Sequence, residues 1–447
     1  MENIKHIYFI GIGGIGMSAL ARYFHKKGIT VSGYDKTKTE LTESLEKEGM
    51  NIHYTDDVTM IPSSIDYVVI TPAIPKDLKE WKYLKEKGIK ITKRSEVLGL
   101  ISRNSQCLAV AGTHGKTTTT TLLTHILKSS GIDCTAFLGG IAVNYNSNYI
   151  EGNSDIVVVE ADEYDRSFLQ LQPVGTIVTA MDADHLEIYG DAETMRNAYR
   201  EFISKTRKGG KVICKEGLNV PASDSFSVST YGIGKGTNKS ENVKVEEGYF
   251  VFDYSGEKAT IKNIRFTMPG RHNVENATAA ISLALEFGAT EEGIRNALSG
   301  FKGIKRRFEF LIREENKVMI DDYAHHPEEL KAAVSAAREL YPGKKLTGVF
   351  QPHLFTRTRD FAGEFANSLD QLDEALLLDI YPARELPIEG VTSQLLLDKM
   401  KLVKKKRVTK EELIQNASSA KWEVLLMMGA GDIDRLLDPV KKNWLAE

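Results

Sequence analysis

The chain has 447 residues, 42% of them hydrophobic and 27% charged, and a net charge of −3; at roughly 150 residues per domain this suggests about three domains. The near balance of charge excludes the strong basic excess of a dedicated nucleic-acid binder, and no apolar run approaches the ~18 residues of a membrane span. Cys107, Cys134 and Cys214 stand far apart without a C-x-x-C pair, so neither a disulfide framework nor a zinc site is expected and a cytoplasmic enzyme is.

Short apolar runs alternate with helical patterns along most of the chain, which predicts parallel α/β architecture. "HIYFIGI", "TVSGYD", "YVVITPAI" and "KITKRS" read as strands, with helices over 17–27 and 40–48 between them. Gly11-Ile12-Gly13-Gly14-Ile15-Gly16 fits G-x-G-x-x-G between the first strand and the first helix. Glycines there let a diphosphate approach the backbone at a helix start. Asp35 ends the second strand, where a ribose-binding carboxylate is expected. A tight turn without a ligand is the plainer alternative, and the motif does not say which nucleotide carries the diphosphate.

A second set of elements begins at "QCLAVAGTHGKTTTTT", residues 106–121. The Walker pattern G-x-x-x-x-G-K-[ST] fails, because Val110 stands six positions before Lys116 and the nearest upstream glycine beyond Gly115 is Gly112. Lys116 and Thr117 nonetheless open a helix after two glycines, which suits phosphate and magnesium. Threonines that serve only as caps are the alternative. "IVVVEADEYD" puts Glu160 at a strand end with Asp162 and Glu163 beyond it, where a cation bridging ATP phosphates is expected. "AMDADH" repeats the arrangement with Asp182, Asp184 and His185; a lone histidine is more often structural.

Residues 220–268 are serine- and glycine-rich, and "VKVEEGYFVFDYSG" alternates, so antiparallel hairpins are expected there. "RHNVEN" places Asn273 and Asn276 three apart at a helix start, fit either to read an adenine edge or to cap the helix. The third set offers Arg306 and Arg307, then "DDYAHHP" (321–327), then "QPHLFTRTR" with His353, Arg357 and Arg359, and a glycine turn in "MMGAGDID". Arginines near strand ends suit carboxylates or phosphates, and no third ligand at regular spacing turns His325 and His326 into a metal site. Domain borders are read near residues 103 and 303, giving 1–103, 104–303 and 304–447.

In this order the segments G-I-G-G-I-G-M-S, G-T-H-G-K-T-T, E-A-D-E, D-H, R-H-N-x-x-N, R-R-F, D-D-Y-A-H-H-P and Q-P-H resemble the Mur ligase family across nearly the whole chain. The resemblance implies an N-terminal Rossmann-like domain that binds a UDP-sugar, a central P-loop-type ATPase domain with a mostly parallel sheet, and a C-terminal Rossmann-like domain serving the ATP and amino-acid sites. It implies the alanine-adding reaction: ATP activates the carboxylate of UDP-N-acetylmuramate as an acyl phosphate, which L-alanine then attacks. The expected cofactors are ATP and Mg2+, with the small-molecule substrates as partners, no nucleic acid, and a monomer or homodimer.

Carried over by residue, the resemblance implies UDP-sugar contacts at Gly11, Gly13, Gly14, Ile15, Gly16, Met17, Asp35, Thr71, Ala73 and Ile74. It implies ATP contacts at Gly112, Thr113, His114, Gly115, Lys116, Thr117, Thr118, Asn273, Asn276, Arg307 and Asp322. Thr117, Glu160 and His185 are the implied metal ligands, and Lys116, His185, Arg307 and Asp322 the implied catalytic residues. Tyr323, His325, His353 and Arg357 are expected around the alanine, although Leu354 stands where many members carry an arginine. Besides a non-catalytic nucleotide-binding module, which would need none of the charges of the third set, two rival readings stay open. One is a recycling ligase that attaches an intact peptide to the same UDP-sugar. The other is a nicotinamide-dependent oxidoreductase, which would leave Lys116, Glu160 and His185 idle.

Overall fold

The computed structural model of the chain describes residues 4–182, 186–383 and 385–446. Three sheets carry the architecture, as the alternating pattern predicts. The first contains β1 (His6–Ile10), β2 (Thr30–Tyr34), β3 (Asn51–His53), β4 (Tyr67–Ile70) and β5 (Ile91–Lys93), in the order β3-β2-β1-β4-β5. All its pairings are parallel. Chain order reverses between β1 and β4, and the loops after those two strands flank the crevice where such sheets bind ligands. "KITKRS" is a strand only as far as Lys93; Arg94 opens a helix, Arg94–Arg103.

The second sheet has ten strands: β6 (Gln106–Ala111), β7 (Thr135–Ala142), β8 (Ser147–Ile150), β9 (Ile156–Glu160), β10 (Gly175–Val178), β11 (Gly210–Lys215), β12 (Phe226–Ile233), β13 (Asn238–Glu246), β14 (Tyr249–Ser255) and β15 (Thr260–Phe266). Their order is β15-β14-β13-β12-β11-β10-β6-β9-β7-β8. The central β6 is flanked by β9 and β10, both parallel to it, with Val110 in register with Glu160 and with Ile177. The serine-rich segment departs from expectation at its start. β12 runs parallel to β11, and β13 runs parallel to β12 through Tyr231↔Asn238, so the short Gly234–Gly236 connection does not make an antiparallel hairpin. The hairpin signal holds at Glu247-Gly248, both at positive φ (51° and 78°) as a two-residue turn requires.

The third sheet contains β16 (Glu309–Arg313), β17 (Val318–Asp322), β18 (Leu346–Phe350), β19 (Glu374–Leu377), β20 (Lys405–Arg407) and β21 (Val424–Met428), ordered β16-β17-β21-β18-β19-β20. Only the edge strand β16 is antiparallel to its neighbour. β21 lies between β17 and β18, so the loops after these three strands emerge side by side.

The described chain divides into two compact units. One comprises Met1–Asn242, Phe252–Ile264 and Glu275–Phe301; the other comprises Val243–Val251, Arg265–Val274 and Lys302–Glu447. The first unit therefore holds the five-stranded sheet together with the strands that carry the lysine loop. Their join is apolar and polar at once. Tyr23, on the helix Ile15–Lys26, packs against Phe137 and Tyr149 at ring-centroid distances of 5.4 and 6.3 Å. Fully buried Asn148 donates its amide to the Ile15 carbonyl (2.6 Å) and to the Ser18 hydroxyl (2.9 Å), and its oxygen accepts from Arg22. A buried amide with its partners satisfied fixes one arrangement of the elements it joins. The second unit has its own apolar cores on both faces of the third sheet.

Candidate functional site

The lysine loop follows β6, whose run Cys107 to Ala111 is fully buried. Gly112 (φ 137°) and Gly115 (φ 78°) supply the two turns that L side chains resist. A Cβ on Gly112 would lie 2.0 Å from the Thr179 hydroxyl, and one on Gly115 would lie 2.5 Å from the Asn276 amide oxygen. The loop is thus pressed against β10 and against Asn276. Thr113 and His114 are tied in the same direction: Thr113 Oγ1 accepts from the Asp182 N–H (3.2 Å), and Thr179 Oγ1 donates to the His114 carbonyl.

Lys116 opens the helix Lys116–Ser129 with Gly115 at the N-cap and no side-chain cap. The capping-only alternative therefore fails. The threonines point back along the helix instead, Thr120, Thr121 and Thr124 donating to the carbonyls four residues earlier. Thr117 and Thr118 lie in the first turn, where the N–H groups of a helix start have no intrahelical partner.

Lys116 Nζ donates to the Gly112 carbonyl (2.7 Å) and to Glu163 Oε1 (2.8 Å). Glu163 is only 1% exposed and Lys116 14%. Burial by itself lowers the Lys116 ammonium pKa, but Glu163, then Glu160 and Asp162, outweigh it and hold the group above the ordinary lysine value. The lysine is a fixed cation at the mouth of the loop. Glu160 ends β9, its carboxylate resting on Gly139, where a Cβ would come within 2.2 Å of it.

On the N-terminal sheet the glycine loop is braced from behind. The Gly11 N–H donates to the Tyr34 carbonyl (2.8 Å) and the Gly13 N–H to Asp35 Oδ2 (2.8 Å). Asp35 thus holds the loop in shape. A Cβ on Gly11 would touch Thr71 and Ile74 at 3.2 and 3.0 Å, so the loops after β1 and β4 lie against each other. A cavity of ≈290 Å³ opens in front of them, lined by Gly14, Ile15, Gly16, Met17, Thr71 and Ala73 on one side. Phe137, Gly139, Glu160 and Asp162 line the other side. One enclosure therefore runs from the first glycine motif to the acidic strand end.

In the second unit, Asp322 ends β17 and accepts from the Phe308 N–H and the Ala324 N–H, each at 2.8 Å. Burial pushes its carboxyl up to about 6, against the pull of Arg307 and those two N–H groups. Its neighbour Asp321, fully buried, is pushed up to about 7 by burial, with Arg306 opposing. The Tyr323 ring lies beneath both arginines, 5.0 Å from Arg306 and 5.4 Å from Arg307. His325 is 5.3 Å from Tyr323 and 6.0 Å from His353, which stacks on Tyr381. Burial lowers the His325 pKa; Glu329 opposes this and Arg357 adds to it. Tyr323, His325 and His353 are thus one cluster with Arg357 in electrostatic reach. Leu354, at φ 71°, is the N-cap of the short helix Phe355–Asp360 and donates its N–H to the Tyr381 carbonyl (3.0 Å).

The glycine loop, Thr71, Ala73, Lys116, Thr117 and Glu160 all fall within the first unit. Asn276 lies against Gly115, whereas the Asn273 amide turns back to the Pro269 carbonyl (2.6 Å). His185 lies outside the described residues, as does Asp184. Among the described residues no cluster of three or more His, Cys, Asp or Glu forms a ready-made metal site, and no helix is long and apolar enough to cross a membrane. Two residues the structure brings to this region, Glu163 beside Lys116 and Arg94 on the cavity lining, were not singled out by the sequence. Glu163 was legible only as part of an acidic loop, and Arg94 sat in a segment read as a strand.

Three family descriptions match the chain in order: the Mur ligase family catalytic domain over residues 6–106, the Mur ligase middle domain over 110–284, and the Mur ligase glutamate ligase domain over 306–431. The chain is 50% identical to a UDP-N-acetylmuramate–L-alanine ligase of Christiangramia forsetii, covering 100% of this chain and 99% of that protein. It is likewise 50% identical to one of Flavobacterium psychrophilum, covering 99% of each. Its fold is similar to the crystal structure of the UDP-N-acetylmuramate–alanine ligase MurC from Thermotoga maritima, with a TM-score of 0.84, 30% identity and 99% of both chains covered. A murein peptide ligase from Psychrobacter arcticus shares the fold at a TM-score of 0.71 and 22% identity, covering 98% of both chains.

Proposed function

The chain belongs to the Mur ligase family, and from that premise we propose that its residues divide one reaction, the ATP-dependent joining of L-alanine to the lactyl carboxylate of UDP-N-acetylmuramate. Full-length identity near 50% to alanine-adding ligases supports this reaction over the peptide-recycling one. The observation that carries the division of labour is the enclosure that begins at the glycine loop and ends at Glu160 and Asp162. A UDP-sugar with its diphosphate on the Gly11–Met17 loop would direct its far end toward the acidic strand end beside the lysine loop.

In this reading a carboxylate oxygen attacks the terminal phosphorus of ATP, the bond to ADP breaks, and an acyl phosphate forms. The alanine amine then attacks the acyl carbon, loses a proton, and the tetrahedral intermediate expels inorganic phosphate to leave the amide. Little covalent work falls to the protein; alignment and neutralisation of the charge on the transferring group do most of it. Lys116, fixed by Glu163, supplies one positive charge, and the free N–H groups after Gly115 supply a dipole end. The side chains fit a hard cation: Glu160 and the Thr117 hydroxyl are oxygen donors on neighbouring elements, and the bare Gly139 leaves the Glu160 carboxylate its space. Magnesium held there, with His185 completing the set, would neutralise the phosphates and the departing ADP.

Gly112, Thr113, His114, Thr118 and Asn276 would hold ATP from the central domain, with Asn273, Arg307 and Asp322 its contacts from farther along the chain. Tyr323, His325, His353 and Arg357 would surround the alanine; with leucine at 354, Arg357 and Arg359 are the arginines of that segment that would serve its carboxylate. The domains in this account run over 1–103, 104–303 and 304–447, in a cytoplasmic monomer or homodimer.

The test is phosphate release from ATP in the presence of UDP-N-acetylmuramate and a panel of amino acids. The expected result is release that requires the UDP-sugar and is fastest with alanine. Release indifferent to the UDP-sugar, or a change in nicotinamide absorbance, contradicts the reading.

A further inference from the structure

Among the described residues that line the substrate cavity, Arg94 is the one cationic side chain, and Glu160 and Asp162 are the acids. It sits at the first position of the helix Arg94–Arg103 and is 18% exposed. Its Nη2 donates to Asp162 Oδ2 at 3.2 Å. The rest of the guanidinium lies over the glycine loop: a Cβ on Gly16 would come within 2.7 Å of Nη1 and 3.2 Å of Cζ. Gly16 has no positive φ, so no left-handed turn demands a glycine here, and the space its missing side chain leaves is taken by this guanidinium. The arrangement is a cation held at one corner by an acid, with its face across the loop that receives the substrate.

Charge argues in the same direction. A UDP-sugar acid brings a diphosphate and a carboxylate into a cleft whose other described ionisable lining residues, Glu160 and Asp162, are acidic. Like charges brought together in a partly desolvated site repel unless a cation stands between them. A guanidinium has five N–H donors in a planar fork that matches an oxyanion, and the contact to Asp162 uses one. We propose that Arg94 is a further substrate-binding residue, its guanidinium pairing with an oxyanion of the UDP-sugar across the Gly14–Met17 loop. The proposal rests on the ligase reading above.

The test is calorimetric binding of UDP-N-acetylmuramate and of UDP-N-acetylglucosamine, which lacks the lactyl carboxylate, to the full chain and to Arg94→Gln, Arg94→Lys and Asp162→Asn. Arg94→Gln is expected to weaken UDP-N-acetylmuramate by about 10- to 100-fold, with ATP affinity kept as proof of folding, and Arg94→Lys to recover part of the loss. Unchanged UDP-N-acetylglucosamine affinity in Arg94→Gln identifies the carboxylate as the anion; an equal loss identifies the diphosphate. Asp162→Asn is expected to bind the UDP-sugar as well as the native chain or better, since it removes a competing acid. The proposal is overturned if Arg94→Gln binds UDP-N-acetylmuramate normally, or if Asp162→Asn loses as much as Arg94→Gln, which would make Arg94 only a tether for the acidic loop. A native chain that binds no UDP-N-acetylmuramate removes the ligase reading itself.

Discussion

Replacing Lys116 with alanine is expected to cut ATP-dependent phosphate release by about 10³-fold or more, while UDP-N-acetylmuramate binds within about threefold of the native affinity. The two halves of this expectation come from different parts of the first unit. Lys116 lies at the helix start after Gly115, bonded to Gly112 and Glu163. The glycine loop is braced independently by Tyr34, Asp35 and Thr71. No solvent cation can replace an ammonium fixed at that point, because its placement is set before the phosphate arrives. Steady-state phosphate release and calorimetry on the same preparation check both halves. Loss of both functions in a folded variant would refute the separation of the two sites.

Glu163→Ala is expected to cost up to about 3–5 kcal/mol in the stability of the first unit, because it removes the nearest of the three acids around a buried ammonium. Its turnover should fall by about 100-fold, since the lysine is no longer aimed. Lys116→Ala strands the opposite charge, so the double variant should be less destabilised than the sum of the two singles. Urea unfolding of the four proteins completes the cycle. Additive losses would mean that the 2.8 Å contact between Lys116 and Glu163 contributes nothing as a pair.

What could be read from the sequence was whatever a local constraint writes into consecutive residues. The turn after β1 needs glycines beside a helix start, so "GIGGIG" is visible; the lysine loop needs Gly115 before Lys116, so "GTHGKT" is visible although its spacing breaks the Walker rule. Glu160 shows because a carboxylate closing a four-residue apolar strand is unusual. Partners chosen by the fold are not written locally. Glu163 looks like any acid on a polar loop until β9 brings it to Lys116, 47 residues earlier in the chain. Arg94 was hidden by a different effect: β5 is three residues long, and the alternation in "KITKRS" does not show where the strand stops and the helix begins. β7, "TAFLGGIA", was missed because two glycines interrupt its pattern, although the Glu160 carboxylate occupies the space beside Gly139. The parallel return from β12 to β13 overrides a turn-rich composition that favours a hairpin. Asp35 was legible as an acid at a strand end, and the structure adds a partner the sequence does not show, the Gly13 N–H.

The central claim is that the substrate carboxylate itself is phosphorylated inside the enclosure joining the glycine loop to Glu160. Carrying out the reaction with UDP-N-acetylmuramate labelled with ¹⁸O in the lactyl carboxylate, and weighing the released phosphate by mass spectrometry, tests it directly. The account predicts one labelled oxygen in each phosphate released with amide formation, because the bridging oxygen of the acyl phosphate leaves with phosphorus. Unlabelled phosphate, with both ¹⁸O atoms retained elsewhere, would contradict it.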